Sequence, residues 1–108
     1  TRKNKLTPQQ LGGFLEKMHA DFTLFPEYLN SLPIAGVDGT LRSRMKGTEA
    51  ERWVRAKTGL LNGAVGLAGF AGRPNGAIVT FTFIYNGGGR EDRARALFDR
   101  MAALIVEE

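Results

Sequence analysis

The stretch "RPNGAIVTFTFIY", residues 73–85, constrains the fold of this chain more than any other. Pro74-Asn75-Gly76 has the residue order of a tight hairpin turn and joins two candidate strands, about 63–71 and 77–85, which predicts that they pair antiparallel. In the second strand Val79, Phe81, Phe83 and Tyr85 share one face, while Ile78, Thr80, Thr82 and Ile84 share the other. A strand apolar on both faces is covered on both, which predicts a place inside a sheet with helices above and below. Its partner "GAVGLAGF" is almost all small residues, so a helix or a neighbouring backbone can come close.

The flanking segments supply the helices. Thr7 and Pro8 give an N-cap and a proline at the first helical position, and Leu11, Phe14, Leu15 and Met18 recur at helical spacing, predicting a helix over 8–20. "FPEYLNSLP" reads as a short helix between two prolines. Residues 34–47 carry turn chemistry at Ala35-Gly36 and Asp38-Gly39 and no sustained period, so they form an ordered loop. Thr48 and Glu51 have capping-box spacing, predicting one helical turn before Trp53 and a first strand over about 53–59. After "NGGG", Glu91 and Asp92 open a last helix that turns Leu97, Phe98, Met101, Leu104 and Ile105 inward. The fold class is α+β, an antiparallel sheet with helices on both faces. Such a sheet needs more neighbours than this inventory supplies, so an upstream or partner segment is expected to finish it. A chain opening "TRKNKLTPQQ", without an initiator Met, also reads as a piece of something longer.

Composition narrows the function classes. At 108 residues the chain is one domain at most, and 43% hydrophobic with 24% charged residues is an ordinary globular balance. No apolar run approaches the roughly 20 residues that span a bilayer, so no transmembrane segment is expected and the piece reads as soluble. The net charge of +4 raises nucleic acid as a partner, but the fifteen Lys and Arg residues are spread along the chain and interleaved with acids. A nucleic-acid binder needs a clustered basic face, often with stacking aromatics, and none is expected here. The absence of cysteine removes disulfides and thiolate metal sites, and His19 has no second ligand of its kind, so no metal or cofactor is expected. Glu16, Glu27, Glu49 and Glu51 read as solvated, and Phe14, Phe81, Phe83 and Phe98 lie at core spacing.

Chemistry concentrates in "WVRAKTGLLNG". Lys57 is a point charge for an anion, the Thr58 hydroxyl can donate to a carboxylate, and Gly59 removes the side chain that would hold a substrate off the backbone. Together they suit a strand edge that receives an extended peptide ending in a carboxylate. Period two sends Lys57 and Thr58 to opposite faces, so both address one cleft only where the cleft lies beside the strand. A bare K-T-G far more often marks a strand with a solvated lysine and a turn glycine, and only its surroundings weigh against that. "SRMK", Ser43 to Lys46, matches Ser-x-x-Lys but falls in a glycine-bounded basic loop and is read as a coincidence.

The run "LPIAGVDGTL", then "RAKTGLLNG", then "LAGFAGRPNGAIVTFTFIYNG" resembles the C-terminal part of the type-4 penicillin-binding proteins, serine D-alanyl-D-alanine carboxypeptidases and endopeptidases of low molecular mass, over about Asn4 to Gly87. The resemblance implies that residues 1–108 are the K-T-G half of a β-lactamase/transpeptidase-like domain, and that the nucleophilic Ser and its Lys come from an upstream N-terminal segment of the same protein. It implies that Lys57 contributes positive field, Thr58 binds the terminal carboxylate, Gly59 gives clearance, and the Leu60 amide is an oxyanion donor. Where the family commonly carries Ser or Thr, Leu60 keeps only the backbone donor. Asn4 stands where the family's Ser-x-Asn asparagine is expected and would contact a substrate amide, although Arg2 takes the serine's position. The implied partners are the peptidoglycan stem peptide and β-lactams, and the implied location is periplasmic or otherwise extracytoplasmic. The alternative is a non-catalytic module of the same ancestry that binds cell-wall peptide or a protein.

Overall fold

The computed structural model describes residues 7–59, 64–86 and 89–107. Asn4 and Leu60 lie outside the described residues. Helix α1 (Pro8–Ala20) and helix α2 (Phe25–Ser31) come first, followed by a 3-10 turn at Gly39–Leu41. Strands β1 (Val54–Thr58), β2 (Val65–Gly72) and β3 (Ile78–Tyr85) then lead into helix α3 (Glu91–Glu107). The three strands form an antiparallel sheet in the order β1-β2-β3.

Local chemistry explains the element starts. The Thr7 hydroxyl accepts from the Gln10 amide at 3.0 Å, and the Gln10 side chain accepts from the Thr7 amide at 3.0 Å. This reciprocal pair satisfies two amides that the first turn leaves free, and Pro8 needs no such partner. The Asp21 carboxylate turns the chain from α1 to α2 by accepting from the Thr23 hydroxyl at 2.7 Å and the Leu24 amide at 3.0 Å. Those bonds hold its pKa below the ordinary aspartate value.

Thr48 does not start a helix. Its hydroxyl donates to the Met45 carbonyl at 2.6 Å and accepts from the Ala50 amide at 3.1 Å, while the Glu51 carboxylate accepts from the Gly47 amide at 2.8 Å. With Glu51 aimed at Gly47 instead of Thr48, the box never closes, and residues 48–53 are a string of turns.

The sheet separates two cores. On one side α3 packs with Val54, Ala56, Leu67, Ala71 and Phe81. On the other, Leu11, Leu15 and Leu32 cover Ala68 and Phe70. Helices therefore do cover both faces, but the central strand is β2, whose first seven residues are all buried. Among the described residues β3 pairs on one side only. Its two apolar faces reflect α1 on one side and α3 on the other, and say nothing about a neighbour at its edge.

Two further expectations shift. The inward stripe of α3 is Ala94, Phe98, Ala102 and Val106, and Leu97 and Leu104 are each 55% exposed. Alanines let the helix settle onto the small residues of β2, and the bulkier leucines are turned aside. Phe14 is half exposed and meets the Tyr28 ring edge-on at 6.1 Å, while Leu11 and Leu15 fill the space beneath α1.

The long loop is fastened to α3 by Arg44. Its Nε and Nη2 donate to the two Asp99 carboxylate oxygens at 3.2 and 2.7 Å, with both side chains about four-fifths buried. A forked pair at this depth lies between exposed and fully buried cases. Arg44→Ala is expected to lower stability by about 2 kcal/mol, seen as a lower urea midpoint at unchanged slope.

Candidate functional site

Strand β1 positions the K-T-G residues through its alternation. Val54 and Ala56 point into the core beneath α3, and Thr58 follows them on that face. Lys57 is exposed on the opposite face beside Arg55, whose guanidinium donates to the Asn30 side chain at 3.4 Å. The period-two difficulty is thus real, and the two side chains flank the strand from opposite sides.

What they share is the outer edge of β1. The Ala35 amide donates to the Val54 carbonyl at 2.9 Å, and the Ala56 amide donates to the Pro33 carbonyl at 3.1 Å. Residues 33–35 therefore cap the first half of that edge and go no further. By the same parity, the Thr58 amide and carbonyl point outward, away from β2. Among the described residues no backbone group bonds them from that side. A peptide laid there would extend the sheet by one strand. The loop that ends this cap is held by Asp38, whose carboxylate accepts from the Ile34 amide at 2.7 Å.

Gly59 has φ +62, in the left-handed region where a side chain is strained, and an added Cβ would meet no atom of the described residues within 4 Å. The backbone favours glycine here, and among the described residues the space beside it is open. The Thr58 hydroxyl lies 3.3 Å from the Thr40 hydroxyl. Both line a cavity of about 330 Å³ with Arg44, Gly59, Gly66 and Arg95. Sequence reasoning missed Thr40, Arg44 and Arg95. No spacing rule links a loop, a strand and a distant helix, and only the position of Thr40 in "GVDGTL" was a hint.

The other candidates are elsewhere. Ser43 and Lys46 sit in turns, and Met45 between them has φ +63, so the helical turn that Ser-x-x-Lys activation uses is absent. They border a groove along α3 with Ala103 and Glu107. His19 stacks edge-on against Phe25 at 4.8 Å. Among the described residues there is no cluster of His, Cys, Asp and Glu that would hold a metal, and no helix long and apolar enough to cross a membrane.

Residues 1–107 match the D-Ala-D-Ala carboxypeptidase 3 (S13) family. The chain belongs to that family. Among curated relatives, it is 42% identical over 78 residues to carboxypeptidase DacB of Mycolicibacterium smegmatis, covering 68% of this chain and 16% of that protein. It is 45% identical over 62 residues to the D-alanyl-D-alanine carboxypeptidase of Actinomadura sp. strain R39, covering 53% of this chain and 11% of that one. Penicillin binding protein 4 (dacB) from Haemophilus influenzae, in a crystal structure with a β-lactam, superposes with a TM-score of 0.80 at 29% identity, over 100% of this chain and 27% of that one. This S13 chain therefore spans well under a third of each relative. The structural match supports the α+β transpeptidase-like fold class.

Proposed function

We propose that residues 1–108 are the K-T-G-bearing part of a serine D-alanyl-D-alanine carboxypeptidase that acts on peptidoglycan stem peptides through an acyl-enzyme. The observation that carries this reading is the second half of the β1 edge. Its outward backbone groups at Thr58, the open space at Gly59 and the Thr58 hydroxyl at a basic cavity converge on one place, with Lys57 on the other flank. The family match and the named activities of the relatives support it.

In this reading a serine on an upstream segment attacks the carbonyl of the penultimate D-Ala and expels the terminal D-Ala, and water then releases the acyl group. The β1 edge aligns the peptide by main-chain pairing, and Thr58 holds its terminal carboxylate. The Lys57 ammonium favours the developing negative charge, and the Leu60 amide donates to the oxyanion. Asn4 contacts a substrate amide. The same upstream segment supplies a strand for the β3 edge left unpaired among the described residues, beside an apolar cleft of about 590 Å³ lined by Phe83, Tyr85, Leu97 and Met101. β-Lactams enter as analogues of the D-Ala-D-Ala terminus, and the substrate's location makes the protein extracytoplasmic.

Intact-mass spectrometry after penicillin treatment tests this directly. The complete protein is expected to gain one acyl adduct, mapped to a serine outside these 108 residues, and the isolated chain is expected to gain none. An adduct on Ser43 would contradict the assignment of the nucleophile. No adduct on the complete protein, together with saturable D-Ala-D-Ala peptide binding, would favour a non-catalytic module.

A further inference from the structure

Among the described residues, two arginines line the cavity at the end of β1, and they are not equivalent. Arg44 is committed: its donors bond both Asp99 oxygens at 3.2 and 2.7 Å, and its Nη2 also reaches the Arg95 carbonyl at 3.4 Å. Arg95 approaches only Glu91 among the described acids, at 3.8 Å, too long for a hydrogen bond, and its side chain is 48% exposed. Lys57 projects from the other face of the strand, so its ammonium does not serve this cavity. Leu60 brings no side-chain donor to it.

We propose that Arg95 and Thr40 complete, with Thr58, a subsite for the terminal carboxylate of the peptide: Arg95 is its counter-charge, and Thr40 orients the Thr58 hydroxyl. The inference rests on the functional reading above and names residues outside the K-T-G motif. Each hydroxyl has one proton to donate and two lone pairs to accept with. In the structure the Thr58 hydroxyl donates to the Thr40 hydroxyl at 3.3 Å. When an incoming carboxylate takes the Thr58 proton, Thr40 is placed to turn and donate to Thr58 in its stead. An anion entering beside Thr58 then meets the less committed of the two arginines from α3. The weak contact with Glu91 is easily exchanged for it. Arg44 holds the loop that carries Thr40 and fixes the α3 turn that carries Arg95, so it acts as a positioning residue.

The test compares second-order acylation rates of the complete enzyme with a penicillin and with the methyl ester of the same penicillin, which lacks the carboxylate charge. Arg95→Gln is expected to slow the free acid about tenfold and leave the ester unchanged, and Arg95→Lys is expected to recover most of the loss. Thr40→Val is expected to cost the free acid about threefold to tenfold through the misdirected Thr58 hydroxyl. Because Arg95 is half exposed, the advantage of acid over ester in the wild type shrinks as salt rises from about 50 to about 500 mM. Equal slowing of acid and ester in Arg95→Gln, or no slowing of either, overturns the subsite while the enzyme assignment stands. A wild-type protein acylated by neither compound overturns the functional reading, and the subsite with it.

Discussion

Lys57→Ala in the complete enzyme is expected to slow acylation by a penicillin by about a hundredfold to a thousandfold, the usual cost of removing one preorganised electrostatic group from such a site. Thr58→Val, which keeps the shape and removes the hydroxyl, is expected to cost about tenfold to a hundredfold, the worth of one hydrogen bond to a charged group. Neither change threatens the fold. Lys57 is exposed, and Thr58 lies at the end of β1, where its hydroxyl has Thr40 as its partner. Stopped-flow acylation together with a thermal melt separates the two effects. Wild-type acylation rates in both variants would remove Lys57 and Thr58 from the site and with them the reading of the β1 edge.

The second large effect comes from a residue that touches no ligand. Gly69 faces Ala56 across the β1-β2 ladder, and a Cβ there would lie 2.6 Å from the Ala56 Cα and also strike the Arg55 carbonyl oxygen. Both are backbone atoms, so no side-chain rotation relieves the clash, and β1 itself must move. Gly69→Ala is expected to destabilise the protein by about 3 kcal/mol or more, at the upper end for overpacking. Acylation should fall as well, because the displaced strand carries Lys57 and Thr58. Gly13→Ala is the control: in α1 an added Cβ meets no atom of the described residues within 4 Å. There the same substitution should stabilise by up to about 1 kcal/mol through helix propensity. Equal melting temperatures for the two variants would show that the close approach of β1 and β2 is not rigid.

The contrast between these glycines marks how far the sequence can be read. "GAVGLAGF" announces that something approaches closely, but it does not say whether a helix or a strand does so at each position. At Gly69 it is the neighbouring strand, and only the register Ala56↔Gly69 shows it. The K-T-G strand and the likeness of three ordered stretches to the penicillin-binding proteins were legible because motif residues adjoin in sequence. The lining of the Thr58 cavity was not. Thr40 and Arg95 reach it from a loop and a helix whose separation from Thr58 along the chain carries no signal.

The sequence by itself determined the features that depend on neighbours along the chain. Thr7 and Pro8 start α1, Pro74-Asn75-Gly76 turns β2 into β3, and the two-faced apolarity of β3 calls for cover above and below. These are short-range effects of backbone dihedrals, capping hydrogen bonds and side-chain period. The tertiary structure alone decided that β2 is the middle strand, that α3 settles on its alanines with Leu97 and Leu104 aside, and that the β1 edge, among the described residues, is capped to Ala56 and open at Thr58. Period reports which faces are covered, but edges, depth of approach and convergence of distant side chains are set by how the elements pack.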